Sequence, residues 1–121
     1  MPADLPTESA GAALDAMAAF RERARATNLA RVELIADALH HLGNGVLAED
    51  ARLTARRAAH SVAGSAGTFG FAEASLLGHT LEALLDEKAD GAQGSDAARA
   101  REGLAVVARL RVALAGRTDP G

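Results

Sequence analysis

The sequence of 121 residues contains no cysteine, tryptophan or tyrosine, and only three phenylalanines and three prolines. Without cysteine, disulfides, thiolate chemistry and Cys-ligated zinc are excluded. Phe20, Phe69 and Phe71 are the only aromatics, so the core must be built from Ala, Leu and Val, which suits closely packed helices. No apolar run approaches the roughly 18 residues of a membrane span, and Met-Pro-Ala-Asp-Leu-Pro has neither part of a signal peptide. A cytoplasmic location with no membrane partner is the expectation. The formal net charge of −3 is mild, and no basic stripe carries interleaved aromatics, which argues against nucleic acid. No glycine-rich loop joins a strand to a helix, so nothing here holds ATP. Neither paired carboxylates nor a Ser-His-Asp arrangement can be read from the spacing, and no cofactor is expected.

What is present is helical periodicity. The length fits one domain with a modest core. Residues 1–8 hold two of the prolines and read as a disordered tail, 9–116 as a bundle and 117–121 as a second disordered tail. From Ser9 or Ala10 to Leu42 little opposes a helix, except Thr27-Asn28, where it is either continuous or bent. Its apolar stripe is Leu14, Met17, Phe20 or the Arg21 stem, then Leu29, Val32, Ile35 or Ala36, Leu39 and Leu42. Gly43-Asn44-Gly45 should stop it. Glu49-Asp50 opens a second helix with the charge its dipole favours, and Gly70 closes it. Ala72 to about Lys88 forms the third, with Leu77, Leu81, Leu84 and Leu85 inward. Ser95 or Asp96 can cap a fourth, running to about Ala115 with Ala100, Leu104, Val107, Leu110 and Leu114 inward. No strand alternation occurs. The fold expected is all-α, an antiparallel up-down-up-down four-helix bundle with an N-terminal helical extension.

The stretch from Ala58 to Phe71, AAHSVAGSAGTFGF, carries the chemistry. Ala58, Val62, Ala66 and Phe69 recur at the spacing of one buried face. At about 100° per residue His60 points nearly opposite to Val62 and Phe69. Its own face also carries Leu53, Arg56, Arg57, Ala63, Gly64 and Gly67. A helical glycine costs about 1 kcal/mol relative to alanine, so two beside the imidazole suggest that something must come close to it. A neutral imidazole, with its ordinary pKa near ~6.5, is a competent nucleophile for a phosphoryl group.

His60, Gly64-Ser65-Ala66-Gly67, Gly70 and Leu81-Glu82 together resemble the signature of histidine-containing phosphotransfer (HPt) domains. The matching motif runs from about Ala58 to Leu85, and the outer helices fit by length and periodicity. The resemblance implies a relay intermediate rather than an enzyme with its own turnover. His60 would exchange a phosphoryl group with the aspartate of a receiver domain, which supplies the acidic pocket and the metal ion. Leu53, Arg56, Arg57, Ala63, Gly64 and Gly67 would surround the phosphoryl group and receive the partner. The lysine that such domains often carry near the histidine is replaced here by Ala63 or Ser61, with Arg56 and Arg57 as substitutes. That absence motivates an alternative, a helical module that docks a receiver or kinase without transferring phosphate. A histidine-kinase phosphoacceptor helix usually has an acidic residue after its histidine, whereas Ser61 follows here and the chain reads as a free-standing domain. His40 and His41 fit the end of the first helix, where the dipole favours positive charge. His79 falls on a solvated face, and no set of ligands converges for a metal. Thr68 lies near the rim of the His60 face.

Overall fold

The computed structural model describes residues 4–89 and 93–116, and they form four helices. These are α1 (Asp4–Gly43), α2 (Glu49–Thr68), α3 (Ala72–Asp86) and α4 (Gln93–Ala115). Each packs on two neighbours, α1 on α2 and α4, and α3 on the same pair. Successive helices run antiparallel, giving the four-helix bundle that the periodicity implies.

Two glycines end helices because each occupies the left-handed region, Gly45 with φ 74° and Gly70 with φ 86°. Past Gly45 the amide of Val46 donates to the His41 carbonyl at 2.9 Å, and past Gly70 that of Phe71 donates to Ala66 at 2.8 Å. Both are Schellman closures, which satisfy carbonyls that a helix end leaves unpaired. The second also corrects an expectation. Phe69 lies on the turn and is only half-buried, while the reversal at Gly70 carries Phe71 into the core.

The core is Val32, Ile35, Leu39 and Leu42 of α1, Val62 of α2, Leu81 and Leu85 of α3, and Val107, Leu110 and Leu114 of α4, closed by alanines. The helix α1 is continuous through Thr27-Asn28. Asn28 is buried there, and its amide donates to Ser65 Oγ of α2 at 3.2 Å while its oxygen accepts from Arg31 at 2.9 Å. Helix α1 has 40 residues, against 20, 15 and 23 in α2, α3 and α4, so its first half runs beyond the bundle. Leu14, Met17 and Phe20, expected in the apolar stripe, are therefore exposed, because among the described residues no helix lies opposite them. The Phe20 ring is partly covered by the Arg23 guanidinium, 4.6 Å from its centroid. The helix also starts earlier than expected, taking in residues 4–8, with Pro6 in the first turn, where a missing N–H costs nothing. The expected tails at 1–3 and 117–121 lie outside the described residues.

The junction of α3 and α4 also differs from expectation. Helix α3 ends at Asp86, where two arginines gather its last carbonyls. Arg52 of α2, nearly fully buried, donates to Leu85 at 2.6 Å and Asp86 at 3.1 Å. Arg99 of α4 donates to Leu84 at 3.2 Å, Glu87 at 2.6 Å and Lys88 at 3.2 Å. Arg52 also pairs with Glu49, whose carboxyl it holds below the usual range mainly through that hydrogen bond. Helix α4 begins at Gln93, before the expected caps, so Asp96 sits inside its first turn, buried and 3.5 Å from Arg99. Residues 90–92 of the expected linker lie outside the described residues.

Helices α2 and α3 meet most closely at Gly78. A Cβ there would lie 2.9 Å from the Ala63 amide nitrogen and 3.1 Å from its Cα, both backbone atoms. We expect Gly78→Ala to lower the melting temperature by several degrees. The gain of about 1 kcal/mol in helix propensity is outweighed by an overpacking cost of about 1–3 kcal/mol. Thermal melting followed by circular dichroism checks this, and a midpoint at or above wild type would contradict the tight seam.

Candidate functional site

The approach at Gly78 fixes the register of α2 against α3, and one pair follows another at each turn. Gly67 faces Ser75, Ala63 faces Gly78, His60 faces Glu82 and Arg56 faces Asp86. His60 projects from the middle of α2 with its side chain 71% exposed, opposite to the fully buried Val62. Its Nδ1 lies 3.0 Å from Glu82 Oε2. A carboxylate only accepts, so Nδ1 carries the proton and donates it. In the neutral ring this hydrogen bond leaves the lone pair on Nε2, across the ring from Nδ1.

Glu82 is the neighbour of His60 that the reading of the helix face missed. It stood in the family motif, but nothing in the sequence places an α3 carboxylate on an α2 imidazole. Its other oxygen lies 3.6 Å from His79 Nδ1, so His79, expected to be simply solvated, shares this carboxylate while remaining exposed. Among the described residues no group of three or more His, Asp or Glu side chains could hold a metal ion.

The residues expected around His60 divide into two sets. Leu53 is half-buried, and Arg56, also half-buried, pairs with Asp86 at 3.2 Å. Arg57 is exposed, with one marginal contact in which Nη2 donates to Thr54 Oγ1 at 3.5 Å. Gly64 is exposed, and a Cβ there would meet nothing within 4 Å. Ala63 is a correction: it is 1% exposed, covered by α3 at Gly78, and gives a partner no contact. Gly67 is a partial one. Its backbone is exposed, but a Cβ would sit 3.2 Å from Ser75 Oγ, so it also serves the α2–α3 seam. The hydroxyl of Ser75 donates to the Ala63 carbonyl at 2.8 Å across that seam. Thr68 is exposed and donates its hydroxyl to the Gly64 carbonyl at 3.0 Å, within its own helix. Arg56, Arg57, His60, Ser61 and Glu82 line an open depression of about 480 Å³.

The bundle thus carries His60 exposed in the middle of α2, one turn from the open surface at Gly64. The chain belongs to the Hpt domain family, whose model matches residues 15–115. That family performs histidine phosphotransfer in two-component signal transduction and works with receiver domains. Neither the curated proteins nor the solved structures gave a match. No helix among the described residues is long and apolar enough to cross a membrane.

Proposed function

We propose that this protein is a phosphorelay intermediate that accepts a phosphoryl group on Nε2 of His60 and exchanges it with the aspartate of a receiver domain. The observation that carries the reading is the Glu82–His60 hydrogen bond, which leaves Nε2 facing solvent beside the open surface at Gly64. In the forward step the Nε2 lone pair attacks phosphorus in line. The P–O bond to the receiver's aspartate breaks, and its electron pair leaves on the carboxylate. Nδ1 keeps its proton, and the positive charge gained by the ring is balanced by Glu82. Phosphoryl transfer depends chiefly on positioning and charge stabilisation, and the receiver brings the metal ion. Leu53 and Gly64 flank the imidazole as the docking surface, with Arg57 exposed beside them and Arg56 tied down by Asp86.

Incubation with phosphorylated receiver domains from the same genome tests this. We expect acid-labile, base-stable label on this protein, and none with ATP and Mg²⁺ alone. Stable binding of a receiver without any label would favour the second reading, a docking module that does not transfer, which the missing lysine at Ala63 and Ser61 motivates.

The role of Glu82 has its own test. Glu82→Ala removes both the proton acceptor at Nδ1 and the compensating charge, and we expect transfer to slow by about 10- to 100-fold, as for one charge-assisted hydrogen bond. Glu82 is half-buried, with its side chain 25% exposed, and its partners His60 and His79 are exposed, so stability should fall by about 1 kcal/mol or less. Stopped-flow transfer rates equal to wild type would remove Glu82 from the mechanism.

A further inference from the structure

We propose that Arg57 is the cation that binds the phosphoryl oxygens on His60, the task for which the family's nearby lysine is missing here. This rests on the relay reading above. The ring is oriented by Glu82 on the α3 side, 3.0 Å from Nδ1, so a group on Nε2 extends toward the opposite flank of α2. At about 100° per residue, position 57 lies about 60° from His60 on that flank, with Gly64 beside it. Positions 56 and 63 lie on the other flank, where Arg56 meets Asp86 and Ala63 lies under Gly78.

The charges select the same residue. A phosphoryl group brings roughly two negative charges at neutral pH, next to the carboxylate of Glu82. Of the two arginines lining the depression, Arg56 is held by Asp86 at 3.2 Å. Arg57 has no carboxylate within ion-pair distance among the described residues, and its contact with Thr54, at 3.5 Å, is too long to resist much. Side chains of a helix lean toward its N-terminus, so the imidazole of His60 itself tilts over the turn that carries residue 57. A guanidinium there matches two phosphoryl oxygens with two parallel N–H donors. Arg57 moves no proton and forms no covalent bond; it neutralises charge on the transferring group.

The experiment uses the full chain and two phosphoryl donors. One is a phosphorylated receiver domain. The other is phosphoramidate, which gives its phosphoryl group to Nε2 with loss of ammonia and needs no docked protein. We expect Arg57→Ala to slow labelling of His60 by about 10- to 100-fold with both donors. Arg57→Lys should recover most of that loss with phosphoramidate, and both variants should melt like wild type. Slowing with the receiver but not with phosphoramidate would mean that Arg57 touches the receiver's acidic rim, and the assignment falls. An unimpaired Arg57→Ala beside a labelled wild type overturns the assignment alone. A wild type that takes no label from either donor overturns the relay reading and the assignment together.

Discussion

His60→Gln should abolish phosphoryl acceptance and leave the bundle as stable as wild type. The side chain is 71% exposed and lies outside the core, with Glu82 as its hydrogen-bond partner, so its loss removes no core packing. Surface changes of this kind stay within about 0.5 kcal/mol. Glutamine retains a polar group of similar reach but has no ring nitrogen to attack phosphorus, so the loss is complete rather than partial. Labelling from a phosphorylated receiver, with a melting curve on the same sample, checks both halves. Label persisting in the variant, for instance on His79 across the shared Glu82, would overturn the assignment of His60.

Gly64→Gln should have nearly as large an effect on transfer with no cost to the fold. The position is open, with nothing within 4 Å of a Cβ, and replacing a helical glycine gains up to about 1 kcal/mol. The new side chain would lean toward the N-terminus of α2 and lie over His60, one turn before it. A receiver's aspartate must come within roughly 3–3.5 Å of in-line contact, and a misplacement of ~1 Å can cost about a hundredfold. The expected result is an equal or higher melting temperature with transfer to and from receivers reduced by about a hundredfold or more. Unfolding would show that Gly64 serves packing. Transfer at the wild-type rate would show that the partner approaches over another face.

The bundle and the exposure of His60 were legible because both are local. The 3.6-residue period, Gly45 and Gly70 set the helices, and the angle between His60 and Val62 is fixed within a single helix. The misplaced residues depend on a second helix. Ala63 and Gly67 do lie on the histidine's face of α2, but Gly78 of α3 decides which edge of that face is covered. Glu82 became visible only through the same register. The stripe of Leu14, Met17 and Phe20 shows a different gap. Periodicity reveals that a face is apolar, not that another helix stands opposite it. Helix length carried that information, since 40 residues of α1 extend about 60 Å and the 23 of α4 about 35 Å.

The buried Asn28 has a consequence for which arrangement of the helices the chain adopts. Faces made largely of alanine, leucine and valine are nearly alike from turn to turn, so α1 could slide along α2 by one turn and still bury apolar surface. Slipped one turn toward the C-terminal end of α2, the Asn28 amide would lose Ser65 and come opposite Phe69, whose side chain has no acceptor. An orphaned buried polar group costs about 1–3 kcal/mol, enough to leave that register at roughly 15% or less. A single amide thus disfavours a slip that the apolar side chains would accept almost equally. It does so on α1, leaving the α2 and α3 surfaces around His60 free of that duty.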